Sequence, residues 1–332
     1  MYGIQFRQNR ELALKLIILR LKMKIHLGLS QPLTKSCALT IGNFDGVHLG
    51  HQMMIKQVVT QARARHLNSV VMTFEPHPKD FFAPQFSQPR LTSLREKIEL
   101  IEAANVDHVV ILRFNHDLAK TTAEEFVNRI LKQQLHTRYL LVGDDFRFGA
   151  KRQGDFAYLL SRATEAGFTC ESMDSHRVGQ ERVSSSAIRE TLQQGQLDMA
   201  RQLLGRPFYI SGRVAFGKQL GRTIGYPTAN IPLGRRIPPL QGIFAVTVEG
   251  LHNEPIKGVA SLGTRPSVES NHEPWLEVHL FDFNDNIYGR RIHVNFYHKI
   301  RDEAEFTTLD ELIKQIDLDA LEAKAYLTSL SL

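Results

Sequence analysis

The chain has 332 residues, 42% of them apolar and 23% charged, a globular composition with length for one large domain or two ordinary ones. It contains no run of 18 uncharged apolar residues, which argues against a membrane-spanning helix. The net charge of +6 is concentrated in residues 1–22, where Arg7, Arg10, Lys15, Arg20 and Lys22 face only Glu11, so +4 sits in this arm and +2 in the rest; a basic body that tracks nucleic acid is not expected.

Residues 11–21 read ELALKLIILRL, helix-prone but interrupted by Lys15 and Arg20 and without a small-residue cleavage site, which makes a poor secretory signal. A second methionine, Met23, follows. Two readings stand for residues 1–22: an upstream extension before a natural start at Met23, or an amphipathic surface helix. Cys37 and Cys170 form no CxxC pair and no disulfide framework; they read as buried reduced thiols of a cytoplasmic protein.

From residue 37 to about 170, short apolar runs alternate with helical patterns. CALTI (37–41) leads through a glycine-rich turn into a helix around 50–66. SVVMTF (69–74), a helix at 93–104, HVVILRF (108–114), a helix near 122–135 and YLLVG (139–143) follow. This alternation predicts βαβ units and a doubly wound parallel sheet, an α/β Rossmann-like domain over 23–204. Ligands in such sheets lie at the carboxyl ends of the strands. Three chemically loaded segments fall there: GNFDGVHLGH (42–51), EPHP (75–78) and DDFRFG (144–149).

The pattern changes near residue 200. A short helix is expected at 197–204, broken by Gly205, Arg206 and Pro207. Beyond it FYISGRVAF, GIFAVTVEG, IKGVASLG, LEVHLFDF and RIHVNFYH are strand-like with Gly or Pro between them. They predict a second domain over 205–332, a compact antiparallel β-barrel closed by a helical tail around 307–329.

In the first segment, HLGH puts His48 and His51 three residues apart where a helix begins, close to orphan N–H groups and the positive dipole end. Gly42 and Gly46 permit close backbone approach, and Gly50 permits tight helix packing. Two imidazoles there can donate to a phosphate and stabilise charge during displacement at phosphorus. Downstream, RVSSSAIR (182–189) sets three serines between Arg182 and Arg189 at a helix start, a second anion cradle. Asp45 either contacts nucleotide or organises the turn between Asn43 and Gly46. His77 is held between Pro76 and Pro78, with no role fixed. Asp144 and Asp145, adjacent residues on a strand end, should point to opposite faces, which disfavours a metal pair.

TIGNFDGVHLGH, TFEPHP, RLTSLREK, VGDDFRFG and RVSSSAIR together resemble the adenylyltransferase half of the bacterial bifunctional riboflavin kinase/FAD synthetase family. The resemblance implies nucleotide contacts at Gly42, Asn43, Phe44, Asp45, Gly50, Asp145, Arg182, Ser185, Ser186 and Arg189, with catalytic roles for His48 and His51. It favours Asp145 and Phe146 in a loop that contacts nucleotide or flavin. Val183 and Ser186 stand where the family usually has Ile and Thr.

The second phosphate-handling signature, GRVAFGKQLGRTIGYPTAN (212–230), is glycine-rich and basic. By itself it could be a β-hairpin with a PT turn. Thr228 and Asn230 share a strand face and offer neutral oxygens for Mg²⁺ shared with phosphates. GVASLGTRPSV, LEVHLFDF, YGRRIHVNF and IRDEAEF resemble the kinase half of the same family. That implies nucleotide contacts at Gly212, Gly217, Lys218, Gly221, Arg222 and Thr228, metal contacts at Thr228 and Asn230, and Glu277 as general base. Glu305 replaces a usual Lys and Phe244 a usual Tyr. The resemblance implies ATP, Mg²⁺ and flavins (riboflavin, FMN, FAD) as reactants. Neither nucleic acid nor membrane is expected as a partner, and a monomer or weak homo-oligomer is expected. Its rival is a flavin-binding regulator without catalysis.

Overall fold

The computed structural model describes residues 22–217, 225–234, 237–264 and 274–330. The basic arm to residue 21, and the candidate residues Lys218, Gly221 and Arg222, lie outside the described residues. Among those described, two compact units form. The first runs to Gln88 and resumes over Thr92–Val183; the second comprises Pro89–Leu91 and the chain from Ser184 onward.

In the first unit, strands β1 (Lys24–Leu27), β2 (Cys37–Ile41), β3 (Asn68–Glu75), β4 (His108–Arg113), β5 (Thr137–Gly143) and β6 (Thr169–Met173) form one sheet in the order β1-β4-β3-β2-β5-β6. Every pairing is parallel. All five residues of β2 are buried, as a strand covered on both faces requires. Leu39, Ile41, Val70, Met72, Leu140 and Val142 feed the core on one face. Ala38, Val71, Val109, Tyr139 and Leu141 feed the other.

Helix α1 (Leu49–Ala64) follows β2, and α2 (Pro78–Phe82) follows β3. Helix α3 (Leu94–Glu102) starts on a capping box in which Ser93 and Glu96 satisfy each other's backbone N–H. After β4 come α4 (His116–Lys120) and α5 (Ala123–Glu125), which continues as a π-helical stretch over Phe126–Gln134. Helix α6 (Phe156–Ala166) ends on left-handed Gly167. From β2 the chain proceeds to β3 and β4 on one side, then returns to β5 and β6 on the other. The switch point therefore lies between β2 and β5, where an open α/β sheet opens a crevice at its carboxyl edge.

The hairpin β7 (Arg177–Val178) and β8 (Glu181–Arg182) completes the first unit. Helices α7 (Ser185–Gln193) and α8 (Leu197–Leu204) group with the second unit, although the sequence reading set the boundary after residue 204. The physical reason is burial: α8 packs on the barrel strands, with Leu197, Ala200, Leu203 and Leu204 all buried.

The second unit contains β9 (Phe208–Arg213), β10 (Thr228–Pro232), β11 (Gly242–Glu249), β12 (Ile256–Thr264), β13 (Pro274–Leu280) and β14 (Arg291–Arg301). Their order is β10-β13-β12-β11-β14-β9, all antiparallel. The ends of the sheet approach each other at an isolated bridge between Ala215 and Asn230 (N···O 2.8 Å), which curls the sheet toward closure. Strand β13 alternates cleanly, with Leu276, Val278 and Leu280 buried and Glu277 and His279 partly exposed. Helix α9 (Leu309–Ser329), started by a Thr308–Glu311 capping box, lays Ala320, Ala323 and Leu327 onto β11 and β12.

Candidate active sites

The loop after β2 is built to hold its backbone in an unusual path. Phe44, Gly46 and Val47 have φ of 48°, 83° and 39°, a region that costs a β-branched residue such as Val47 most. Buried Asp45 compensates, because its Oδ1 accepts from Thr92 N–H (3.1 Å) and Thr92 Oγ1–H (3.2 Å). Thr92 Oγ1 in turn accepts from Gly46 N–H (3.0 Å). Of the two readings open for Asp45, this geometry is that of the turn organiser. The Phe44 ring is fully buried against Gly42, so its side chain belongs to the core. Asn43 keeps its carbonyl on the Thr73 hydroxyl (3.2 Å).

His48 caps α1: its Nδ1 accepts from His51 N–H (3.3 Å). The His48 and His51 rings stack with centroids 3.5 Å apart. An acceptor Nδ1 puts the proton of neutral His48 on Nε2, making that nitrogen a donor. Gly50 accommodates this stack, since a Cβ there would press on the His48 ring at 3.4 Å. The paired rings therefore sit at the helix N-terminus, next to the switch point between β2 and β5.

On β5, the neighbouring strand, the chain turns at once after Gly143. Asp144 and Asp145 do not diverge as an extended strand would have them. Arg182 Nη2 reaches both carboxylates, at 3.6 and 3.2 Å, and Ser175 donates to Asp144 (3.0 Å). Phe146 packs into the core and stacks on Phe148. His77 caps α2 by accepting from Lys79 N–H (3.1 Å). Beyond it Phe81, Phe82, Phe114 and His116 form an aromatic cluster, with Phe82 67% exposed. The sequence reading missed this cluster, whose members come from α2 and from the chain between the end of β4 and the start of α4.

Within the second unit, Ser184 caps α7 by accepting from Ala187 N–H (3.2 Å), which puts Ser185 and Ser186 in the first turn. Arg189 Nε donates to the Pro89 carbonyl (2.6 Å).

The barrel site is set by register. Asn230 on β10 lies directly opposite Glu277 on β13, which lies opposite Ser261 on β12. Thr228, His279 and Val259 form the adjacent row. Directly opposed residues share a face, so Thr228, Asn230, Glu277 and His279 converge. Buried Asn230 donates from Nδ2 to the Thr228 carbonyl (3.0 Å) and Oγ1 (3.4 Å). A Cβ on Gly217 would come within 2.6 Å of the Asn230 amide, so a glycine here lets its own backbone lie directly against this side chain. At Gly212 a Cβ would instead meet the Ile231 side chain at 2.2 Å, so this glycine makes room for the packing of β9.

Two cavities meet at Thr228. One, of about 300 Å³, is lined by Val214, Ala229, Val278, Leu280 and Tyr288. Tyr288 stacks on Phe216 with centroids 4.0 Å apart, and Phe216 is 73% exposed. The other, of about 350 Å³, lies on the opposite face of β13, among Ser261, Glu277, Glu303, Phe306, Leu312 and Ile316. Partial desolvation pushes the Glu303 carboxyl up from its ordinary value, with Glu277 adding to the rise, while the Ser261 hydroxyl and Arg301 oppose it. Ser261 and Glu303 lie in segments whose motifs were legible, but only register and folding bring them to Glu277.

No group of three or more His, Cys, Asp or Glu fit for a metal exists among the described residues. The oxygen donors Thr228 and Asn230, with Glu277 alongside, instead suit a hard cation that takes most of its ligands from phosphate and water. The close approach of Gly217 to Asn230 fits the same arrangement.

The FAD synthetase family model matches residues 30–187, and the riboflavin kinase model matches residues 204–327. The chain is 46% identical over 298 residues to the bifunctional riboflavin kinase/FMN adenylyltransferase of Escherichia coli K12, covering 90% of this chain and 95% of that one. It is 45% identical to the protein of the same name from Haemophilus influenzae, covering 89% and 96%. Among solved structures it is similar to one titled macrolide-efflux protein from Streptococcus pneumoniae, at 29% identity and a TM-score of 0.76, covering 90% and 97%. With both halves matched in order and nine-tenths of the chain aligned, the chain belongs to the bifunctional riboflavin kinase/FMN adenylyltransferase family.

Proposed function

We propose that the chain makes FAD from riboflavin in two ATP-dependent steps, phosphorylation to FMN in the barrel unit and adenylylation to FAD with pyrophosphate release in the parallel-sheet unit. The observation that carries this reading is the register of β10 and β13, which sets Glu277 opposite Asn230 and two pairs from Thr228, on the same face.

In the barrel, the Phe216–Tyr288 side takes the nucleotide and the Glu277 side takes the flavin. The terminal ribityl hydroxyl attacks the γ-phosphorus, its proton passes to the Glu277 carboxylate, and the bond to the ADP bridging oxygen breaks. Such base assistance contributes typically ~10²–10⁴-fold. Thr228 and Asn230 are the residues that would hold Mg²⁺, the usual metal of the family. When bound it supplies charge neutralisation to the phosphates.

In the parallel-sheet unit, an FMN phosphate oxygen attacks the α-phosphorus of ATP and the bond to the pyrophosphate oxygen breaks. His48 donates from Nε2 and His51 lies stacked beside it, so both imidazoles meet the phosphates where charge grows. The exposed ring of Phe82 and its aromatic neighbours suit a flat flavin ring. For Ser185, Ser186 and Arg189 the reading rests on the motif and on the helix start. Both cysteines are reduced, each with its thiol pushed up to about 12 by burial, in keeping with a cytoplasmic protein. No described helix is long and apolar enough to cross a membrane.

Incubation with riboflavin, ATP and Mg²⁺, with products separated chromatographically, tests the reading. FMN followed by FAD is expected. Flavin binding without either product would identify a regulator that has lost catalysis.

A further inference from the structure

Helix α9 reaches the catalytic segment through one side chain. The Tyr226 hydroxyl donates to Asp317 Oδ1, in the middle of α9. The Tyr226 ring packs on the cluster formed by Ile243, Val259, Phe281 and Ala320. It also meets the His279 ring edge-on at 5.1 Å. His279 Nδ1 lies 3.0 Å from the carbonyl of Pro227. Tyr226 is thus fixed by α9 and Pro227 by β13, and the next residue is Thr228.

Tyr226 also lines the Glu277 cavity, as do Leu312, Ile316 and Asp319 from α9. Those three recur at the helical i, i+4, i+7 spacing that turns one face inward. Without the Tyr226–Asp317 hydrogen bond, the chain leading into β10 and the face of α9 would meet across this cavity only through ring packing. With it, the two are joined beside the cavity.

We propose that Tyr226 and Asp317 are a positioning pair that closes the flavin-side cavity, holding bound riboflavin against Glu277. The inference rests on the reading that this cavity takes riboflavin. The hydroxyl does not touch the reacting atoms; it acts through the wall of the flavin-side cavity, while the His279–Pro227 contact keeps Thr228 in place. Its loss therefore weakens retention of flavin and leaves the nucleotide side unchanged. A hydrogen bond to a charged acceptor supports an effect of about 10-fold.

The test uses the full chain with Tyr226→Phe, Asp317→Ala, Asp317→Asn and the double variant Tyr226→Phe/Asp317→Ala. Kinase assays give KM for riboflavin and for ATP separately, and stopped-flow flavin fluorescence gives the riboflavin dissociation rate. Thermal unfolding of the barrel and an ATP KM near that of wild type report that each variant is folded. Tyr226→Phe and Asp317→Ala should each raise the riboflavin KM and dissociation rate about 10-fold, with kcat and the ATP KM within about twofold of wild type. Asp317→Asn, which keeps an acceptor oxygen, should recover much of the loss. The double variant should be no worse than either single one, because both remove the same bond. An unchanged riboflavin KM in both single variants overturns the proposal, and so does a double variant in which the two effects multiply.

A cavity-filling variant separates this outcome from failure of the underlying reading. Ala304 lines the same cavity and is exposed, so Ala304→Trp should block riboflavin binding without disturbing the fold. If Ala304→Trp binds riboflavin normally, the assignment of flavin to this cavity is wrong. If Ala304→Trp blocks binding while Tyr226→Phe changes nothing, the cavity assignment stands and the positioning pair falls.

Discussion

The two halves of the chain gather their chemistry in opposite ways. In the parallel-sheet unit the strands only aim the loops, and the two histidines come from one helical turn three residues apart. In the barrel the strands themselves carry the site, so Asn230, Ser261 and Glu277 come from three strands and meet through register. A site built on a local turn tolerates a distant fault in the sheet. One built on register fails when a single strand moves, since a one-residue slip turns every side chain to the other face.

The largest effects should come from the reacting groups, and they should not cross between units. Glu277→Gln should lower kinase turnover by ~10²–10⁴-fold while adenylylation of supplied FMN proceeds. His51→Ala should lower adenylylation by ~10²–10³-fold while FMN accumulates from riboflavin. Separate assays of the two steps check both. Loss of both activities in either variant would break the comparison at its root.

Next in size is Gly217→Ala. A methyl there meets the Asn230 amide at 2.6 Å, so loop or side chain must shift. A displacement of this kind costs on the order of 10²-fold in rate. We expect kinase kcat to fall with an unchanged melting temperature, because Gly217 lies at the loop and not in the core. An equal loss of stability would mean that register, and not the loop, depends on this glycine.

Asp45→Asn should have a smaller and mixed effect. It weakens the tie to Thr92 that holds the loop before His48, at about 1–3 kcal/mol of stability, and adenylylation should fall with it. Thermal unfolding and the FMN assay measured together would tell loop support from direct contact: lost activity at unchanged stability would favour nucleotide contact.

The smallest effect concerns Asp107, which binds Arg63 through both guanidinium nitrogens and accepts from Ser69 N–H and Oγ–H. Burial opposes its charge, but Arg63 and Ser69 outweigh that and hold the carboxyl at about 2. A lowered folded-state value gives stability that is present above the unfolded value near 4 and lost as pH falls through about 2. Arg63 is exposed, so screening limits the contribution to about 1 kcal/mol. Asp107→Asn should lower the melting temperature at pH 7 and flatten its dependence between about pH 4 and 2, with both activities intact at neutral pH.

Much of the fold was legible because each strand type leaves its own pattern. CALTI is buried throughout, as a central parallel strand must be, and LEVHL alternates, as a barrel strand must. The edge strand Lys24–Leu27 left little trace, being four residues long with both ends exposed. HLGH was legible because its two rings are neighbours in sequence. The stop at Gly143 was legible, but Asp144 and Asp145 do not diverge, because Arg182, far along the chain, reaches both carboxylates. Thr92, Ser261, Glu303 and Tyr226 were out of reach for the same reason. Each matters through a partner on another element, 47 residues away for Thr92 and 91 for Tyr226, and a lone hydroxyl or carboxylate does not announce its partner.

Thr228 lines the two cavities described above, and β13 lies between them, with Val278 and Leu280 lining one and Glu277 and His279 the other. In the proposed arrangement donor and acceptor enter from different sides, and neither has to pass the other. Each product then leaves by the route its substrate took. Binding order is free in such a design, and initial-rate plots with riboflavin and ATP should intersect as they do for random addition, with ADP competing against ATP alone.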